Sequence, residues 1–228
     1  MESTKFTCTY CNKSFTRERT LQVHMCEPKR RHLQKNEKWV QNGYIVFSRF
    51  YEIHQKNAKP RTYDDFCSSS YYNAFVKFGR FMMHISPLYP DKYIDYVVLS
   101  KVKLDHWSRE DLYETYLVET LKIEPVESAI QRSITTMMDW ADQQNAQWSD
   151  YFRLVNTNRA VQHIQAGKVS PWLILGCSAG KKMLQSLSDE QLQMTYKFIN
   201  PEYWHSKFKS YPADVLFVQE TARGAKIE

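Results

Sequence analysis

The amino-acid sequence predicts a mainly α protein: a small ββα module at the front, followed by a helical-bundle body. Three observations carry this. Glycine is scarce, with 6 in 228 residues, while aromatics reach 14%, which disfavours glycine-dependent architectures such as Rossmann folds and many tight-turned barrels. Apolar residues recur at three- and four-residue spacing behind helix-start signals over most of the chain. Convincing period-two alternation is confined to the front. The length allows one ordinary domain or one domain plus a small module, and 43% apolar against 25% charged residues is enough to build a core and argues against wholesale disorder.

The front module comes first. Residues 6–24 read FTCTYCNKSFTRERTLQVH, in which Cys8 and Cys11 are separated by two residues and His24 follows after twelve more. Two cysteines so spaced fit a tight hairpin turn with both sulfurs facing one ion, and twelve residues let the chain return as a helix bearing an imidazole. Phe6, Phe15 and Leu21 supply a minimal core around that point. The pattern resembles the C2H2 zinc finger, which implies a ββα fold over residues 1–32 holding Zn2+. A module of about thirty residues buries too little surface to fold unaided, so the metal has to contribute on the order of 10 to 16 kcal/mol. Without it, residues 1–32 are expected to be disordered.

The fourth ligand departs from the family pattern. Where a second histidine is expected, three to five residues past His24, stand Pro28, Lys29 and Arg30, none of which binds zinc. Cys26 is nearest and chemically apt, but residues two apart on an intact helix point about 200° from one another. The helix therefore has to unwind at Met25, and Pro28 favours that. His32 is the alternative, about 12 Å further along a continuous helix, and it requires the chain to turn back after Glu27. An open position holding water is the third arrangement. We take Cys8, Cys11, His24 and Cys26 as the set, with His32 as the other candidate.

Charge points to a partner for this module. Residues 1–38 hold nine Lys or Arg against four Asp or Glu, whereas residues 39–228 hold 22 against 21, so nearly all of the net +6 lies at the front. Such a local field suits nucleic acid. The resemblance implies that Arg17, Arg19, Thr20 and Val23 occupy the groove-facing helix positions, where Arg17 suits a guanine edge. Lys29, Arg30, Arg31 and His32, with Lys35 and Lys38, extend the basic surface and suit phosphate. Contact is expected to be electrostatic and mostly sequence-blind, with DNA ahead of RNA. The competing partner is an acidic protein docked on the same helix. Residues 24–34, HMCEPKRRHLQ, also resemble a segment of uncharacterised zinc-finger proteins of large tailed phages, which implies a viral accessory factor and no particular activity.

The body, residues 39–228, reads as an all-helical domain of seven to nine helices, taken as the surface for protein contacts. Trp39, Val40, Tyr44, Phe47, Phe50 and Tyr51 form a first helix, ended by Pro60. Ser108 with Asp111, Pro125, Pro171, Ser188 with Gln191, and Asn200 before Pro201 mark later starts. Core stripes follow from Leu112, Tyr116, Leu117 and Leu121; from Val126, Ala129, Ile130, Ile134, Met137, Met138 and Ala141; and from Leu192, Tyr196 and Ile199. The aromatics Tyr71, Tyr72, Phe75, Phe78 and Phe81, interleaved with Lys77 and Arg80, fit an amphipathic helix facing inward better than a base-stacking groove.

Other chemistries find little purchase. WLILGCSAGKK at 172–182 is one residue short of a phosphate loop between Gly176 and Gly180, and Lys182 stands where Ser or Thr is needed. Small residues there suit close helix contact instead. His54, His84, His106, His163 and His205 form no HExxH pattern, and Asp64 with Asp65 and Asp139 with Asp142 lack the partners a metal-dependent nuclease requires. We therefore expect a non-enzymatic protein. No apolar run reaches the 18 residues of a membrane helix, and MESTKFTCTY does not read as a secretory leader. The chain is expected inside the cell with its five cysteines reduced.

Overall fold

The computed structural model describes residues 5–55 and 59–227. The chain divides into two compact units, Met1–Leu112 and Tyr113–Glu228. The fold is mainly α, with fifteen α-helices and one two-stranded sheet among the described residues. No helix there is long and apolar enough to cross a membrane.

In the first unit, strands β1 (Phe6–Thr7) and β2 (Ser14–Phe15) pair antiparallel, Phe6 opposite Phe15. Helices α1 (Glu18–Val23) and α2 (Glu27–Leu33) follow. Then come α3 (Lys38–His54), α4 (Tyr63–Ser68), α5 (Tyr72–Ile85) and α6 (Pro90–Leu99). The stripe expected at the start of the body is real. Val40 and Phe47 are buried, and Phe47 meets Phe66 and Phe75 at 5.2 and 5.4 Å between ring centres. Tyr72, Phe75 and Phe78 point into the same core, and Trp107 closes it. Edge-to-face and tilted pairs of this kind add to the apolar burial that large rings already provide. Of the expected aromatic run Tyr71 is exposed and Phe81 half-buried. Asp65 proves to be a helix-start residue: its carboxylate and the Thr62 hydroxyl form a reciprocal capping box on α4.

Helices α3 and α5 approach closely because glycine stands at their crossing. A Cβ built on Gly79 would run into the Trp39 carbonyl oxygen and lie 2.6 Å from the Gly43 nitrogen. Both obstacles are backbone, so neither can step aside.

The second unit is built from α7 (Glu110–Ile123), which begins just before the boundary, α8 (Val126–Gln144), α9 (Tyr151–Leu154), α10 (Thr157–Gln165), α11 (Pro171–Gly176), α12 (Ser178–Gln185), α13 (Asp189–Thr195), α14 (Pro201–Ser210) and α15 (Pro212–Gly224). Pro171 and Pro201 open α11 and α14 behind the caps Ser170 and Asn200, and Ser188 with Gln191 forms the expected capping box. Residues 172–182 are two short helices broken at Cys177, and Gly180 lets α12 sit on the α11 backbone at Ile174. Along α8, Val126, Ala129, Ile130, Met137 and Ala141 are buried, while Met138 is exposed.

Two expectations need correction. Among the described residues the body contains thirteen α-helices, α3 to α15, rather than seven to nine, because several are short and break within what reads as one stretch, as at Ser69 and at Cys177 after Gly176. Leu192 and Tyr196 are exposed. Helix α13 stops at Thr195, so the phase that would align them with Ile199 is lost.

The glycine contacts set a clear contrast. Gly79→Ala should cost about 1 to 3 kcal/mol through overpacking, whereas Gly224→Ala, whose Cβ meets nothing within 4 Å, should stay within about 0.5 kcal/mol. Urea unfolding of the two variants measures both.

Candidate metal centre

The hairpin forms because β1 leads directly into the two cysteines. The Cys8 amide donates to the Lys13 carbonyl at 2.9 Å and the Asn12 amide to the Cys8 carbonyl at 2.9 Å, which folds the chain between Cys8 and Cys11 into a knuckle. Asn12 completes it with φ 57°, a left-handed conformation that asparagine tolerates better than most residues. Its contribution went unread in the sequence, although an asparagine immediately after a turn cysteine is a recognisable signal.

Helix α1 ends at Val23, and His24 (φ −68°, ψ 122°) is already extended. Cys26 is extended too and serves as the N-cap residue of α2, with Pro28 in that helix's first turn. The unwinding needed at Met25 is thus built in: proline is comfortable in a first turn and cannot sit inside a continuing helix. One ligand atom from each of Cys8, Cys11, His24 and Cys26 lies within 4.8 Å of the others. Cys8 and Cys26 sulfurs stand 3.8 Å apart, and Cys11 Sγ is 3.3 Å from His24 Nε2. Two thiolates on one tetrahedral zinc at about 2.3 Å are separated by about 3.8 Å, so a Cys3His set of this size suits zinc in both chemistry and spacing.

His32 is not in the cluster. Its ring lies 5.2 Å from that of Tyr10 and 6.0 Å from that of Tyr63, and Nε2 is 3.8 Å from an Asp64 carboxylate oxygen.

The electrostatics of the sulfurs fit a cation. Burial raises the Cys8 thiol pKa, but the amides of Tyr10 and Cys11 aimed at it prevail and hold it below the ordinary value. For Cys11 the Lys13 amide draws the pKa down, and burial together with the Cys26 and Cys8 sulfurs overrides it, leaving the thiol above the ordinary value. Crowded thiols of this kind resist ionising together unless a cation shares the site. The remaining cysteines, Cys67 and Cys177, are buried elsewhere, and burial raises both. Among the described residues of the finger only Cys8 is buried; Phe6, Phe15 and Leu21 are partly exposed. Phe15 packs on the His24 ring at 4.8 Å. A core this small would leave most of the stabilisation to a bound metal.

The basic run divides into two kinds of residue. Lys29 Nζ donates to the His24 carbonyl at 3.1 Å, and Arg30 pairs with Glu27 at 2.5 Å. Arg31 reaches the Cys67 and Ser69 carbonyls at 2.6 and 3.3 Å, bonds Glu27 at 3.1 Å, and lies 4.3 Å over the Tyr72 ring. The Tyr63 hydroxyl donates back to the Arg31 carbonyl at 2.9 Å, and Lys35 Nζ sits 5.1 Å over the Tyr63 ring. This face of α2 therefore docks the finger on α4 and α5. Arg17, Arg19, Thr20 and Val23 are exposed on or beside α1, and neither Arg17 nor Arg19 is in an ion pair among the described residues.

Elemental analysis tests the ligand set: one zinc per chain is expected, retained in His32→Ala and lost in Cys8→Ser/Cys11→Ser. Cys26→Ser should weaken zinc by more than the roughly 10- to 100-fold that loss of a supporting partner costs. The docking makes a separate prediction. Arg31→Met should destabilise the first unit by about 1.5 to 3 kcal/mol, as expected for lost hydrogen bonds from a charged group, and Arg30→Met by less than about 1 kcal/mol, measured by denaturant unfolding.

No family model, no curated protein and no solved structure matches this chain. The resemblance to a C2H2 finger accordingly rests on the local ββα arrangement and on the Cys8, Cys11, His24 and Cys26 cluster, which is compatible with zinc.

Proposed function

We propose that the protein is a non-enzymatic, zinc-dependent accessory protein whose finger contacts nucleic acid, DNA ahead of RNA, largely through charge, while its helical body serves protein contacts. Zn2+ acts structurally, held by Cys8, Cys11, His24 and Cys26. The observation that carries this reading is the exposure of Arg17 and Arg19, without carboxylate partners among the described residues, in a module that also exposes Lys5 and Lys13. Cations left unpaired on one small metal-braced surface are suited to phosphate. Lys29, Arg30 and Arg31 are largely occupied within the protein, so the weight of contact moves from the run after the finger to the hairpin and α1.

A second reading has its own observation. Val23, Met25 and Leu33 are 75%, 58% and 62% exposed, and large apolar side chains left in solvent around the finger favour a protein partner.

Fluorescence anisotropy of a labelled duplex across a salt series tests the first reading. Each phosphate contact contributes about −0.9 to the slope of log affinity against log salt, so Arg17→Glu/Arg19→Glu should make the slope shallower by about 1 to 2 while zinc content stays at one per chain. Unchanged affinity in that variant would remove nucleic acid as the partner of this surface. Single-stranded RNA in the same titration decides between the nucleic acids.

A further inference from the structure

The second unit carries a hollow of about 580 Å3 beside α10, lined by Asn156, Asn158, Arg159, Gln162, His163 and Lys168. It holds two cations and no carboxylate. Neither Arg159 nor Lys168 joins an ion pair among the described residues.

The hydrogen bonds around it orient the carboxamides. The Asn158 amide donates to Asn156 Oδ1 at 3.0 Å, which leaves the NH2 as the remaining group of that carboxamide. The Ser188 amide donates to Gln191 Oε1 at 3.0 Å, so the Gln191 NH2 must be the group that donates to Asn158 Oδ1 at 2.8 Å. That leaves the Asn158 NH2 as the remaining group there as well. Two backbone amides thereby commit both side-chain oxygens and leave N–H donors on the surface of the hollow.

The frame is rigid on the Lys168 side. Gly167 sits at φ 66° with its carbonyl accepting from Arg132 Nε at 2.7 Å, and Arg132 is itself held in a two-pronged pair by the buried Glu124. The Lys168 amide donates to the His163 carbonyl at 2.8 Å, and the Lys168 carbonyl accepts from Thr136 Oγ1 at 3.1 Å. On the other side the Arg159 guanidinium is anchored by Gln143.

We propose that this hollow binds a tetrahedral oxyanion of the phosphate class, clamped between Arg159 and Lys168 and hydrogen-bonded by the Asn156 and Asn158 carboxamides. Two cations and carboxamide donors lining one hollow with no carboxylate among them, on backbone already held in place, suit such an anion. His163 reports on the same field. Its Nδ1 is 2.7 Å from the Tyr151 hydroxyl, and burial, then Arg159 and Lys168, lower its pKa to about 4. A bound dianion would offset the two cations and raise it. All these residues belong to the Tyr113–Glu228 unit, and the site stands or falls separately from the zinc module.

The test is a titration of the full-length zinc-loaded protein with sulfate and with inorganic phosphate, at constant ionic strength against chloride, following the His163 ring and Lys168 amide signals by NMR. Saturable shifts are expected with a dissociation constant on the order of millimolar. Arg159→Gln/Lys168→Gln should weaken binding at least about tenfold without changing the circular dichroism spectrum. If that variant fails to fold, the wild-type titration still decides. No saturable shift, or shifts equal in wild type and variant, would overturn the site. A nucleoside monophosphate and a short oligonucleotide distinguish the source: movement of the same signals by the oligonucleotide assigns backbone phosphate, and movement by the monophosphate alone assigns a small phosphorylated molecule. Response to sulfate alone, with every phosphate silent, would overturn the phosphate class.

Discussion

Everything at the front of this protein depends on one break in the chain. Helix α1 stops at Val23, three residues run on from His24 to Cys26, and α2 begins at Glu27 with Pro28 in its first turn. An uninterrupted helix would throw Cys26 to the opposite side from His24. With the break, a third sulfur joins two hairpin sulfurs and an imidazole inside a space of 4.8 Å. A module with so little buried apolar surface gains its order from that convergence, since neither its two-residue strands nor its six-residue helix would persist alone.

The same break aims α2. Its N-cap residue is a metal-site cysteine, and Arg31, one turn further on, bonds the Cys67 and Ser69 carbonyls and covers Tyr72. Metal site and docking face are thus two ends of one short helix. A guanidinium is well suited to this joint because it can satisfy several carbonyls at once and still lie flat on an aromatic ring. The consequence is a difference among the cations at the front. Arg31 and Lys29 serve the fold, while Arg17 and Arg19 beside α1 stay exposed.

Much of the fold was legible in sequence. Helix starts marked by Pro171, Ser188 and Asn200 were read from local chemistry and hold, because a cap or a first-turn proline acts within four residues. The aromatic run from Tyr72 to Phe78 was readable as core by its spacing. The failures lie where longer range decides. Leu192 and Tyr196 have the right spacing to accompany Ile199, but α13 ends before it can align them, and a breaker of that kind has no residue signature. The basic run shows the same limit: Arg31 looked like its neighbours, and only its proximity to two carbonyls 36 and 38 residues away separates them.

At the metal site the division is sharp. Residue type and spacing alone determined Cys8, Cys11 and His24, because a two-residue gap and a twelve-residue return constrain the chain to present them together. They also narrowed the fourth position to Cys26, His32 or an open place holding water. The choice among those, and which cations are tied into the fold, was made by tertiary structure. The reason is geometric: His32 is drawn against Tyr10, Tyr63 and Asp64 by the docking of α2 on α4, and no local pattern encodes where a neighbouring helix will lie.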